Sequence, residues 1–363
     1  MLVYLSDKFS FCWVTSSRPR AMLLSPPRYR HHELAFRTQY AELKERTLGA
    51  GLLLPGSPGT LALRSGTGFS YWYRVYYSVP RKQSETLVCK QGDIALLQEM
   101  KKRMEFSGWA SDQVSALRKL EFQVADKGVA RVLAQLHNQG AFEAGLVLVG
   151  TLGYMAWLNE LGVMLIASRT QDIELARGEP LKVATPLPFM HTMLATELPF
   201  FAVPGLPSSK PSTSIKLPGV AGLRVDMLAH GNILGAIIRV PELQWAAQSI
   251  PYYDYLLTAP EPAAILAGGQ CIPVRLPQAA RMAWHKLYPS AKRLGFPEKA
   301  AKDRHQALTL ACILASDDAR ALKRAGLAAP DSMLKAIRLQ TKALLEIAAD
   351  HLELRAVLKA VLA

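Results

Sequence analysis

Cysteine is scarce and scattered. Cys12, Cys89, Cys271 and Cys312 form no Cys-x-x-Cys pair and have no histidine nearby at zinc-ligand spacing. That argues against a disulfide framework or a structural zinc, and for a reducing, cytoplasmic setting. Long apolar runs are also missing. None reaches the ~20 residues that span a bilayer, and the longest, around Gly145–Val149, is only strand length, so no membrane partner is expected. The opening MLVYLSDKFSFCWV carries Asp7 and Lys8 inside its apolar part, a poor secretory signal. Gly-x-x-x-x-Gly-Lys-(Ser/Thr), His-Glu-x-x-His and Gly-x-Ser-x-Gly are all absent, and Gly66-Thr67-Gly68 lacks the rest of a dinucleotide fingerprint. There is no internal repeat. Acids are outnumbered, 29 Asp and Glu against 43 Lys and Arg, for a formal charge of +14. Such an excess favours an anionic partner, whether nucleic acid, nucleotide or an acidic surface; the alternative is a basic protein with no such partner.

What is present is a chain of 363 residues, 50% apolar, long enough for a sizeable core and two or three domains. Residues 1–30 lack periodicity and end in Pro26-Pro27-Arg28-Tyr29-Arg30, which predicts a disordered or loosely packed leader, with Met22 as a candidate start. Residues 31–139 read as a helix from His31 to Leu48, a hairpin and connecting helices. The hairpin joins Phe69–Tyr77 to Glu85–Cys89 around Pro80-Arg81-Lys82-Gln83. Its aromatic strand and basic tip suit a platform for stacked bases, or else rings packed onto the helices that follow; the packed arrangement is the expected one. The helical stretch 93–139 is expected to split near Gly108. Residues 140–276 hold short strands, among them Leu181–Ala184, Ser212–Leu217 and Leu223–Leu228, with a short helix at Phe189–Leu194. Residues 277–363 read as a helical domain rich in Ala, Leu and Lys, broken at Gly295-Phe296-Pro297 and Gly326–Pro330.

The chemistry concentrates in Val147–Ala176. An apolar β-branched run, Val147-Leu148-Val149, breaks at Gly150-Thr151, continues as a helix over Leu152–Leu161 and returns as the strand Thr170–Ala176. Strand alternation points Asp172 and Glu174 the same way and Ile173 and Leu175 the other. Arg169 falls on the face away from Asp172. A helix opening at Gly150-Thr151 offers free backbone N–H groups to phosphate. A third acid, Asp226, sits within Leu223–Leu228, with Val225 and Met227 on its opposite face. If the two strands are neighbours, all three carboxylates can converge on one edge of a sheet. Mg2+ takes oxygen ligands, usually one or two carboxylates per ion, so the set suits two ions about 4 Å apart. Read alone, an Asp-x-Glu pair is usually a solvated strand face. His285 reads as a packed helix residue, and Asp254 as a turn or capping residue in an aromatic cluster. Asp303 is expected to pair with Lys299 or Lys302 across a helix turn.

Val149-Gly150-Thr151, Asp172-Ile173-Glu174-Leu175 and the later Asp226 resemble the nucleotidyltransferase superfamily typified by DNA polymerase β. The series Val149-Gly150-Thr151, Arg169–Ala176, Val225-Asp226-Met227-Leu228 and His285-Lys286-Leu287 with Arg293, Lys299, Lys302 and Asp303 looks closer still to a bacterial group of nucleotidyltransferase-fold proteins. The likeness spans roughly His31 to Ala321. Two departures stand out. Thr151 replaces the usual Ser, and the gap from Gly150 to Asp172 is longer than usual. The resemblance implies an α/β (α+β) fold: a small mixed-sheet core, flanked by the N-terminal helix–hairpin region and the C-terminal helical domain. It implies transfer of an NMP from an NTP to a hydroxyl, with Mg2+ held by Asp172, Glu174 and Asp226 as the catalytic acids. Gly150 and Thr151 would meet the triphosphate, and Lys286, Arg293 and Lys302 would contact phosphate or acceptor. The charge tilts the acceptor toward RNA, tRNA included. Members also act as toxins, but an antitoxin partner is not readable from this chain. The other class in play is a nucleotide- or nucleic-acid-binding module that keeps the fold without turnover.

Overall fold

A computed structural model describes residues 29–363 except 67, 80, 81, 166–169, 171, 206 and 294. Most of the expected leader, Arg169 and Gln171 therefore lie outside the described residues. The end of the leader is tied down: Tyr29 shares a hydrogen bond with Ser316, and β1 (Arg30–His31) pairs with β7 (Val163–Met164).

The N-terminal part begins with α1 (Leu34–Ala50). A three-stranded antiparallel sheet follows, β2 (Thr60–Ser65), β3 (Ser70–Val79) and β4 (Lys82–Lys90), one strand more than the expected hairpin. Next, α2 (Ile94–Lys119) runs straight through Gly108. The break falls instead at Leu120–Asp126, where Glu121 takes a left-handed φ of 67° and β5 (Val124–Ala125) intervenes before α3 (Lys127–Asn138). A Gly inside a helix costs only about 1 kcal/mol, so tertiary packing overrides it.

The central sheet carries the acids. β6 (Leu146–Leu148) leads into α4 (Gly150–Glu160), β7 follows, and β8 (Asp172–Arg177) returns antiparallel to β6. After α5 (Phe189–Leu194) come β9 (Phe201–Ala202), β10 (Ser214–Lys216) and β11 (Arg224–His230). β11 runs parallel to β8 along one edge. On its other edge it meets β10 at its start and β13 (Trp245–Ile250) at its end. β12 (Ile237–Val240) and β13, joined through the 3-10 turn η1 (Pro241–Leu243), extend the sheet. The expected strand at Leu181–Ala184 does not form: its backbone N–H groups go to separate partners, Leu181 to Glu242 Oε1 at 2.8 Å, Lys182 to Ala144 O at 2.8 Å and Val183 to Leu181 O at 3.0 Å, rather than to one strand. A short α6 (Tyr253–Leu256) precedes the hairpin of β14 (Glu261–Ala267) and β15 (Gln270–Leu276), and β14 also takes β5.

The rest is helical: α7 (Ala279–Lys292), α8 (Pro297–Leu327), α9 (Asp331–Arg338), α10 (Thr341–Ile347) and α11 (Leu352–Leu362). The breaks at Gly295–Pro297 and Gly326–Pro330 stand where the sequence places them. Helices α7 and α8 pack on each other and share one core with the sheet, through Trp284, Leu287, Leu308 and Leu310. That packing closes the open face of β8 and β11 into a cleft. Among the described residues no helix is long and apolar enough to cross a membrane.

Candidate active site

The register between β8 and β11 settles where the acids stand. Asp172 is opposite Arg224, Ile173 opposite Val225, Glu174 opposite Asp226 and Leu175 opposite Met227. Ile173, Leu175, Val225 and Met227 are fully buried, so the alternate positions Asp172, Glu174, Arg224 and Asp226 share the other face. Neighbouring strands lie about 4.8 Å apart, so Asp226 stands directly beside Glu174. These residues line a cleft of about 560 Å³, roofed by α7 and α8.

Gly150 is where the helix meets the acids. Its φ of +66° is a left-handed conformation that favours glycine. A Cβ there would stand 2.6 Å from Glu174 Cδ and overlap the carboxylate oxygen. Glu174 O also accepts the Val149 N–H, 2.9 Å. The turn is thus pinned to β8, and α4 begins at Gly150, two residues earlier than expected, with Gly150 and Thr151 in its first turn facing the cleft.

The opposite wall is basic. Helix α7 continues through Pro289, which keeps Lys286 and Arg293 on one side. Both reach Asp303 on α8: Lys286 Nζ lies 3.5 Å from Asp303 Oδ1, and Arg293 Nη1 bonds Asp303 Oδ2. The expected pairing of Asp303 with Lys299 or Lys302 is therefore corrected. Asp303 is buried and faces α7 rather than solvent, so it collects the cations of the neighbouring helix. Lys302, half-buried, lines the cleft with Lys292 and Lys299.

Burial strains the charges at the bottom of the cleft. It raises the Glu174 pKa, and Asp226, Asp303 and Asp172 add to the rise while Lys286 opposes it. Burial lowers the Lys286 pKa against the pull of Asp303 and Glu174. His285 is packed as expected, its ring edge-on to Tyr253 at 5.3 Å. Burial brings it down to about 4, so it is neutral near pH 7. Asp254 is exposed and lies 3.3 Å from His230 Nδ1.

Two partners of Asp226 escaped the sequence reading. Arg224 Nε donates to Asp226 Oδ1 at 2.7 Å, and Ser214 Oγ donates to the same oxygen. Arg224 Nη2 in turn donates to Ser214 Oγ at 2.8 Å. The signal for Arg224 was present, since it precedes Asp226 by two and must share its strand face. Ser214 becomes visible only through the β10–β11 register, which sets it opposite Asp226. The donor set of three carboxylates has the oxygen chemistry that Mg2+ takes. As they stand, no three metal-ligating side chains among the described residues are gathered closely enough to hold an ion; Asp226 has turned one oxygen to Arg224 and Ser214.

A sheet presenting acids on adjacent strands, a glycine-led helix start beside them and a cationic wall opposite define a phosphate-transfer type of site. A family model described as nucleotidyltransferase matches residues 127–329, more than half of the chain. The protein belongs to that family, and its mixed-sheet core with a helical C-terminal part is the family's α+β arrangement. The match runs from α3 to just past α8 and contains every acid and cation of the cleft. No curated protein and no solved structure matches the chain.

Proposed function

We propose that this protein moves a nucleoside monophosphate from a nucleoside triphosphate to a hydroxyl, with Mg2+ as cofactor and RNA, tRNA included, as the acceptor class. The observation that carries the proposal is the in-register pairing of Glu174 with Asp226 on adjacent parallel strands, with Asp172 on the same face. Asp172, Glu174 and Asp226 would hold the metal, which when bound neutralises the triphosphate and acidifies the acceptor hydroxyl. The N–H groups of the first turn of α4 take the phosphate oxygens, and Lys286, Arg293 and Lys302 offset their charge from the opposite wall. The acceptor oxygen bonds to the α-phosphorus as the bond from that phosphorus to the bridging oxygen of the β-phosphate breaks. Pyrophosphate leaves, and the hydroxyl proton is drawn off at Asp226 Oδ2, the oxygen that Arg224 and Ser214 do not use. The +14 charge supports a polyanionic acceptor.

The test uses each labelled NTP with Mg2+ and total RNA. Label reaches RNA with the wild type, disappears in Asp172→Ala and survives in Asp350→Ala, a surface change outside the cleft. The hold of Arg224 and Ser214 on Asp226 favours a second reading, a binding module without turnover. In that case no label transfers, and RNA binding is salt-sensitive, metal-independent and indifferent to Asp172→Ala.

A further inference from the structure

The sheet β2–β3–β4 lies outside the family match and has two unlike faces. Cross-strand partners share a face. On one face Trp72 is opposite Cys89, Arg74 opposite Thr86 and Tyr76 opposite Ser84. This face is docked on the body of the protein. Arg74 is 1% exposed, its guanidinium lies 3.9 Å from the Tyr76 ring centre and its Nη2 donates to Pro55 O at 2.6 Å. Ser84 Oγ donates to Glu197 at 2.8 Å.

The other face presents one ring between cations and a second between apolar residues. Tyr71 stands between Arg64 and Lys90, and Tyr73 between Ala62 and Leu87. Both rings are half-buried, while Arg64 and Leu87 are more than half exposed; Arg64 Nη2 also bonds Glu85 Oε1 at 2.7 Å, a surface pair that a phosphate would have to displace. Lys90 Nζ sits 3.8 Å over the exposed Phe69 ring. The expectation that the aromatic strand packs away is met at Arg74–Tyr76, where residues of both faces are buried, while Tyr71, Trp72 and Tyr73 are half-buried and Tyr77 is exposed.

We propose that this outer face binds single-stranded RNA, with bases stacked on Tyr71 and Tyr73 and phosphates met by Arg64 and Lys90. The proposal rests on the reading of RNA as acceptor and names the element that holds it. Two observations favour RNA over a protein partner. From β2 to β4 the basic residues are Arg64, Arg74, Arg81, Lys82 and Lys90, against the single acid Glu85. Rings two residues apart on a strand are about 7 Å apart, the reach of one nucleotide in an extended chain. The arm is also set for delivery. Glu197, where it docks, leads into β9, the strand that borders β10 and through it the strand of Asp226.

The experiment is fluorescence anisotropy of the full chain with a labelled 20-nucleotide single-stranded RNA, without NTP. Replacing Tyr71 and Tyr73 together by Ala raises Kd at least about 25-fold, while Phe at both positions binds as the wild type does. Replacing Arg64 and Lys90 by Ala lowers the slope of log K against log salt by about 1.4, the effect of two phosphate contacts on a single strand. Asp172→Ala binds RNA normally even though its transfer activity is gone, which separates this proposal from the catalytic one. Should the Ala pair unfold, the Arg64 and Lys90 variant still decides. Binding within twofold of wild type in the folded Ala pair, or an unchanged salt slope, overturns the assignment. So does a wild type that ignores single-stranded RNA, which would hand this face to a protein.

Discussion

Asp303 is the anion that holds the basic wall together, and Asp303→Asn tests the wall. Its carboxylate lies 3.5 Å from Lys286 Nζ, with side-chain exposures of 12% and 9%. At an effective dielectric near 20 that separation corresponds to about 5 kcal/mol of attraction. Breaking a buried pair by removing one partner costs about 3–5 kcal/mol, because the other charge stays buried. The lower end applies here. Arg293, whose side chain is 42% exposed, can turn to solvent, and Lys286 retains Glu174 as a neighbouring anion. Asp303→Asn is therefore expected to lose about 3 kcal/mol in urea unfolding at pH 7, read as a lower midpoint at unchanged slope. Lys286→Met added to it recovers about 2 kcal/mol, since no unpaired ammonium remains. Transfer does not recover: both variants raise KM for the NTP. A loss below about 0.5 kcal/mol in Asp303→Asn, strictly additive with Lys286→Met, would refute the account of Asp303 as the anchor.

The other predictions concern the acid side. Gly150→Ala costs about 1–2 kcal/mol for its left-handed φ and pushes Glu174 aside, so transfer falls about 100-fold while the chain still folds by circular dichroism. An undisturbed rate would mean that Glu174 need not stand against Gly150. Glu174→Gln abolishes transfer yet raises the melting temperature of the metal-free protein at pH 8. The folded-state pKa of Glu174 is raised, so the folded state binds its proton more tightly than the unfolded state does. Stability is then lost as pH climbs from the ordinary carboxylate range through the raised value, and Gln escapes that loss. Mg2+ raises the melting temperature of the wild type and leaves Glu174→Gln unmoved. Arg224→Ala leaves Asp226 Oδ1 to Ser214 alone and lowers the Mg2+ concentration that half-saturates transfer. A higher requirement would show Arg224 supporting the ion site instead of competing for it.

The parts of the site visible in the sequence are those governed by local rules. Asp172 and Glu174 share a face because a strand repeats every two residues, and the β-branched run before Gly150 marks the turn into α4. Arg224 obeyed the same rule two residues before Asp226, but its meaning depended on β11 lying beside β10, a pairing between distant segments. Asp303 shows the limit most clearly. Its helical neighbours Lys299 and Lys302 are the partners that spacing suggests, but a solvated helix pair is worth only a few tenths of a kcal/mol. Burial against α7 redirects the carboxylate to Lys286 and Arg293. The position of the helix break went the same way. Gly108 is a weak breaker in a helix that packing supports, whereas Glu121, at φ 67°, is a turn that no residue-type preference announces.

The two walls of the cleft explain each other. Burial raises the Glu174 pKa, with the carboxylates of β8 and β11 adding to the rise, and burial lowers that of Lys286 across the gap. Neither group is stabilised by this as the protein stands. Asp226 leans on Arg224, and Asp303 stands between Lys286 and Arg293. A ligand of one sign would relieve one wall and worsen the other. A divalent cation carried by a polyphosphate brings positive charge to the acids and negative charge to the lysines in one step, so each wall gains only when the other is also served. That requirement is what the proposed metal-bound nucleoside triphosphate would meet and a free nucleotide or a bare ion would not.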